Sequence, residues 1–219
     1  MSDNIPTVDS KKPTSKLEIF KIGEQIVLSA PQLYIDVDIE ADGKAGHGSM
    51  LSIGAQSPTG ESFYMEMQPA SEDFVQKQRD FCEAHNLQRS RLLAEAPEFP
   101  EVMQGFNKWL RVLKKTTGKD PVFTALNAGF DFSFVDLYFI KSGIDNLFGI
   151  APFDLKSLAL PLTGDWDWSL TSKDKLPKII IPDGDFTHNA LEDAQYQQKL
   201  HFGMAALLGD RQYQEIGNS

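Results

Sequence analysis

From Leu33 to Ile39 apolar and polar residues alternate, and the segment predicts a β-strand. Ser49 to Ala55, with Gly46 and Gly48 in the preceding turn, predicts a second strand. Ser62 to Met67, after the turn Ser57-Pro58-Thr59-Gly60, predicts a third. Connections this short cannot hold a crossover helix, so the three strands form an antiparallel meander. From Ser71 the period lengthens. Phe74, Phe81 and Cys82 suggest one helix, and Val102, Phe106, Trp109, Leu110 and Leu113 mark another from about Pro100 to Lys115, closed by Thr117-Gly118. Pro121 to Leu126 reads as a buried strand, Phe130 to Ser142 as a helix ended by Gly143, and Asn189 to Leu208 as a long helix ended by Gly209. This element order predicts an α/β domain with a mixed sheet.

Outside that pattern the chain is less decided. Residues 1–16 are polar and read as a disordered or loosely tethered arm. Leu17 to Ala30 fits either a short helix or an edge strand. The expected division is an arm over 1–30, partly disordered, a folded domain over 31–210 and a tail over 211–219. A length of 219 residues suits one domain with an extension. The lone cysteine, Cys82, excludes a disulfide framework and a multi-thiolate zinc site within one chain. The first residues lack an apolar core of signal-peptide length, and no stretch approaches the roughly 20 apolar residues needed to cross a bilayer. A cytoplasmic protein with no membrane partner is therefore expected.

Charge adds a constraint. Lys plus Arg is 21 and Asp plus Glu is 31, for a net charge of −10. That balance excludes a protein that grips nucleic acid by bulk charge. The placement of the acids is more informative. On the first strand Asp36, Asp38 and Glu40 share one face with Tyr34, while Ile35, Val37 and Ile39 share the other. Carboxylates crowded on one strand face repel, and persist at a solvated edge or with a cation. Asp131 follows Asn127 where the Pro121–Leu126 strand turns into a helix, a place where open α/β sheets bind ligands. Alone, it reads equally well as a carboxylate complementing the helix dipole. Asn189 with Glu192 resembles a capping box, which leaves His188 just outside the last helix and Asp193 fixed in its first turn.

Taken in order, Asp38-Ile39-Glu40-Ala41-Asp42-Gly43, Asn127-Ala128-Gly129-Phe130-Asp131 and His188-Asn189-Ala190-Leu191-Glu192-Asp193-Ala194 resemble the three motifs of the DEDD superfamily of 3′→5′ exonucleases, in its histidine-bearing DEDDh branch. The likeness spans residues 31 to 208. Its departures are Ala41-Asp42, Leu126 where a histidine is frequent, the extra acid Asp36, and the N-terminal arm. The resemblance implies a ribonuclease H-like fold, with a five-stranded mixed sheet flanked by helices. It implies a metal-dependent 3′→5′ exonuclease acting on single-stranded DNA or RNA through two Mg²⁺ or Mn²⁺ ions. On that pattern Asp38, Glu40 and Asp193 hold one ion, Asp38 and Asp131 serve the second, and His188 is the general base. The pH optimum should be alkaline. Homodimerisation is carried over from the single-domain relatives.

Substrate contacts are more open. Phe130, Met50 and Leu51 could wedge or stack on a terminal base, with core packing as the alternative. Asn127 could position the site by hydrogen bonding. Lys108, Arg111, Lys114, Lys115 and Lys119 form one basic cluster and Lys173, Lys175 and Lys178 another. The second precedes His188 and is the better candidate for phosphate contact, Lys173 above all. Trp166 and Trp168 either stack on bases or are buried. Two other functions stay open: a non-catalytic accessory module on the same fold, and a hydrolase of short oligonucleotides.

Overall fold

A computed structural model describes the backbone of residues 15–216 and the side chains of residues 15–209. The elements are α1 (Lys16–Ser29), β1 (Leu33–Ala41), β2 (Met50–Gln56), β3 (Ser62–Glu66), α2 (Gln76–Ala84), α3 (Arg89–Glu95) and α4 (Phe99–Thr117). They continue with β4 (Pro121–Ala125), α5 (Ala128–Ser142), β5 (Phe153–Asp154), α6 (Leu155–Thr163) and α7 (Ala190–Ile216). Three short 3₁₀ turns lie between α6 and α7. The sheet order is β3-β2-β1-β4-β5. β1–β2 and β2–β3 are antiparallel, as the short connections require, whereas β1–β4 and β4–β5 are parallel.

β1 is central, and its two faces part as the alternation predicts. Ile35, Val37 and Ile39 join Phe106 and Leu110 of α4 and Phe134, Val135 and Tyr138 of α5 in the larger core. Each such fully buried side chain contributes roughly 1.5–3 kcal/mol. The other face, carrying the acids, is covered by α7, whose Leu200 and Met204 form a second core with Ile19, Leu155 and Ala159. Gly54 of β2 lies under the start of α7. A Cβ there would come within 2.1 Å of the Ala190 backbone.

One open reading is decided and three expectations are corrected. Of the helix and the edge strand left open for Leu17 to Ala30, the helix forms: Ser15 caps α1 through a 3.3 Å hydrogen bond from the Glu18 N–H, and Ile19 and Val27 are buried. Gly23 meets Phe202 of α7 so closely that a Cβ would sit 1.7 Å from its carbonyl oxygen. α1 therefore packs against α7. Secondly, α7 does not stop at Gly209 but runs to Ile216, which makes most of the expected tail helical. A Cβ at 209 would lie 2.9 Å from the end of the Ile26 side chain of α1. Thirdly, the helix marked by Phe74, Phe81 and Cys82 begins at Gln76, after Phe74, and a further short helix, α3, follows it. Asn86 takes a left-handed φ of 68° between them, and the Leu87 N–H returns to the Cys82 carbonyl at 3.0 Å. Finally, α5 begins at Ala128, with Asn127 as its left-handed N-cap, two residues before the apolar pattern suggests. The expectations for residues 1–14 and 217–219 concern stretches outside the described residues. No helix among those described is long and apolar enough to cross a membrane.

Candidate active site

All three acidic motifs converge on one cleft of about 230 Å³. It is lined by Asp38, Ile39 and Glu40 of β1, Leu126, Asn127, Phe130 and Asp131 from the β4–α5 junction, and Phe186, His188, Asp193 and Gln197 from the start of α7 and the loop before it. Asp38 sits opposite Gly54 and Glu40 opposite Ser52, so no bulky neighbour on β2 blocks the carboxylates. Asp131 reaches back from the first turn of α5, and its Oδ1 accepts the Ile39 N–H at 3.2 Å. Asp193 is held by the loop before α7, accepting the N–H groups of Thr187 at 2.7 Å and His188 at 3.0 Å.

The start of α7 follows the capping logic in part. Asn189 Oδ1 accepts from Leu191 N at 3.1 Å and Glu192 N at 3.2 Å, as an N-cap should. Glu192 does not complete the box. Its carboxylate accepts from the Thr187 hydroxyl at 2.6 Å, which bolts the preceding loop to the helix. His188 takes a left-handed φ of 61° there. Its Nδ1 lies 4.0 Å from Glu40 Oε1, and Glu40, His188 and Asp193 each offer a ligand atom within 4.8 Å of the others. Phe81 and His85 of the α2 region stand edge-on to the His188 ring at 4.5 and 4.7 Å.

The electrostatics of the cleft are strained. Burial, then the charges of Asp131, Glu40 and Asp193, push the Asp38 carboxyl well above the usual carboxylate range. Burial, with Asp193 and Asp131, pushes Glu40 up to about 8. Burial raises Asp131 to about 7, against hydrogen bonds that favour its ionised form. Asp193 is raised by burial, opposed by its two backbone N–H donors. No lysine or arginine is among the described residues that line the cleft. Such an oxygen-rich donor set lacks positive charge, and it fits hard divalent cations such as Mg²⁺ or Mn²⁺ better than Zn²⁺.

The remaining candidates divide. Asn127 and the half-buried Phe130 line the cleft. Met50 and Leu51 do not: both are fully buried, Met50 in the main core and Leu51 beside Cys82, Leu87 and Leu92, so core packing claims them. Lys173 pairs with Asp185 and stands 4.3 Å over the ring of Phe186, at the rim of the cleft. Trp166 and Trp168 are exposed, at 86% and 47%. Asp42 is buried, accepts the Ser49 N–H at 2.7 Å and pairs with Arg89, so this departure from the family motif fixes a loop. Asp36 is not a surface carboxylate. It is 1% exposed and lies 3.3 Å from His201 Nδ1. Sequence reasoning missed Phe186, which no motif includes, and Gln197. The second was readable as the residue one helical turn beyond Asp193.

The fold and site together define a DEDDh-type nuclease, and comparison with known proteins agrees. No protein-family profile matches the chain. Over 172 residues it is 33% identical to the 3′-5′ DNA exonuclease Cap18 of Escherichia coli, covering 77% of this chain and 89% of that one. Its fold is similar to the nuclease domain of 3′hExo, a DEDDh family member solved with rAMP bound, at a TM-score of 0.60 and 12% identity, over 83% of this chain and 94% of that one. It is also similar to Pop2p of S. pombe in its Mg²⁺- and Mn²⁺-bound form, at a TM-score of 0.56 and 9% identity, over 89% and 90%. The chain belongs to the DEDDh family of 3′-5′ exonucleases and is a hydrolase of nucleic acids.

Proposed function

We propose that this cleft hydrolyses the last phosphodiester of single-stranded DNA from the 3′ end, using two divalent ions and His188 as general base. The observation that carries the reading is the convergence of Asp38, Glu40, Asp131 and Asp193 on one cleft with His188 beside them. DNA is favoured because the Escherichia coli relative is named a DNA exonuclease. Asp38, Glu40, Asp131 and Asp193 would hold the ions, which supply positive charge to the phosphate and make water acidic enough to attack near neutral pH.

The chain's own groups account for the rest. His188 would take the proton of the attacking water; its ring is flanked by Phe81 and His85 and its backbone N–H donates to Asp193. Phe130 and Phe186 give the walls of the cleft aromatic faces on which a terminal base can stack. Lys173 stands over Phe186, which lines the cleft, so a phosphate upstream of the cut would compete with Asp185 for it. The local positive charge would therefore come from bound ions and Lys173, which suits an otherwise acidic chain.

The test uses purified protein with 5′-labelled DNA and RNA strands of matched sequence and several lengths, in Mg²⁺ or Mn²⁺. Stepwise shortening from the 3′ end, faster on DNA and abolished by Asp38→Ala, is expected. Faster cleavage of RNA would overturn the DNA assignment. Loss of activity above a few nucleotides would make the enzyme one for short oligonucleotides. No shortening from the 3′ end would overturn the function itself.

A further inference from the structure

The face of α7 that carries Asp193 carries two more buried polar residues at four-residue spacing, Gln197 and His201, at 1% and 3% exposure. Neither belongs to the three nuclease motifs. Gln197 lies where the sheet comes apart. β1 and β4 pair in parallel only as far as Asp36 with Thr124. Beyond that pair β1 goes on to Asp38 and Glu40, while β4 turns away into Asn127 and Asp131. Three backbone groups at this fork meet one side chain. Gln197 Oε1 accepts the Leu126 N–H at 2.6 Å, and Nε2 points to the carbonyls of Thr124 at 3.2 Å and Val37 at 3.4 Å. The same amide group donates to Asp36 Oδ1 at 3.3 Å.

One turn further along α7, His201 Nδ1 lies 3.3 Å from Asp36 Oδ2, with Tyr34 and Phe153 packed around the ring. Asp36 is on the same strand face as Asp38, two residues earlier. Successive turns of one helix thus hold Asp193, bridge the fork, and engage the strand just below Asp38. Buried polar groups in this position are costly to leave unpaired, so α7, β1 and β4 cannot slide relative to one another without breaking bonds at the fork.

We propose that Gln197, supported by the Asp36–His201 pair, is a positioning residue that sets the separation of Asp38, Asp131 and Asp193, and thereby the ability of the cleft to hold divalent ions. This rests on the assignment of those carboxylates as the metal ligands. Gln197 does not act on the phosphate; it fixes the strands and helix that carry the groups that do.

The experiment compares the full chain with its Gln197→Met variant, which keeps length but not hydrogen bonds. Mn²⁺ binding is followed by calorimetry, kcat and KM on a DNA strand by initial rates, and folding by thermal melting. Loss of a group that orients metal ligands typically costs about 10- to 100-fold in affinity or activity. Mn²⁺ affinity and kcat should both fall by that order, with KM for the strand unchanged. A folded variant that binds Mn²⁺ and turns over as the parent does would overturn the proposal. If Gln197→Met fails to fold, Asp36→Asn carries the test. It leaves the backbone contacts of Gln197 in place and should show the same pattern at smaller size, whereas parental Mn²⁺ binding in that variant would count against the proposal. Asp38→Ala is measured alongside. If it remains active, the ligand assignment has failed; if it is inert while Gln197→Met behaves as the parent, only the positioning role has failed.

Discussion

At the scale of single residues, the cleft sets chemistry against stability. Asp38 is half-buried, faces three other carboxylates, and is destabilised by each of them in its ionised form. Replacing it with asparagine keeps the shape and removes one charge from the cluster. Asp38→Asn is therefore expected to be inactive yet to melt at a higher temperature than the parent when both are in chelator. Calorimetric or fluorescence melting checks this, and a lower melting temperature would show that Asp38 contributes a structural hydrogen bond that outweighs the repulsion. His188 makes a separate case. It is 39% exposed at the side chain, and its backbone, rather than its ring, anchors Asp193. His188→Ala should lower kcat by about 10²- to 10⁴-fold, the usual worth of a positioned general base, with folding and KM little changed. The motif residues were readable because each chemical role fixes a residue type at a set place. Met50 and Leu51 were not, because an apolar residue beside a motif looks the same whether it faces a base or the core. Burial alone separates the two cases. Asp36 misled for the opposite reason: its partner His201 is distant in sequence, so only the fold shows that its charge is used internally.

At the scale of elements, alternation along β1, the brevity of the β1–β2 and β2–β3 connections, and helical spacing in α4 were sufficient to place the meander, the central strand and the main core. Ends and interruptions were less legible, because they depend on contacts rather than on period. Two glycines show why. Gly23 and Gly209 sit inside helices that a propensity argument would end or weaken; at Gly23 the backbone of α7 passes too closely for a side chain, and at Gly209 a Cβ would press on the end of Ile26. Gly54 performs the same service between β2 and α7, but in a different place. It touches Ala190, three residues before Asp193, whereas Gly23 touches Phe202, well away from the cleft. Alanine at either site overpacks the contact, which typically costs about 1–3 kcal/mol. The two variants should part in function. Gly23→Ala should lose stability while the folded fraction keeps its turnover, and Gly54→Ala should lose stability and also kcat, because α7 must lift near Asp193. Denaturant unfolding with active-site-normalised rates distinguishes them; equal kcat losses would mean that α7 moves as one rigid rod.

At the scale of the whole molecule, the net charge of −10 is unevenly used. Part of it is concentrated in a buried and half-buried cluster whose protons the folded state holds more tightly than the unfolded chain does. Glu40 is raised to about 8 and Asp131 to about 7, and Asp38, Asp193 and Asp36 are raised as well. In the unfolded chain such carboxyls titrate near about 4. Between those limits unfolding releases protons, so raising the pH favours the unfolded state. Below the lower limit both states are protonated and the penalty is absent; above the upper limit it is fully developed. Metal-free protein should therefore melt at progressively lower temperature as the pH rises from about 5 to about 8. Divalent ions bind the ionised carboxylates of the folded state alone and should reverse the trend by mass action. The stabilisation by Mn²⁺ should consequently grow with pH across that window and be nearly absent in Asp38→Asn. Melting curves at a series of pH values, with chelator and with Mn²⁺, measure both slopes. A melting temperature of the metal-free protein that rises with pH would mean that the cluster is relieved by internal hydrogen bonds and not by a cation. The acidity of the chain would then be a surface property, and the cleft would need another source of positive charge to receive a phosphate.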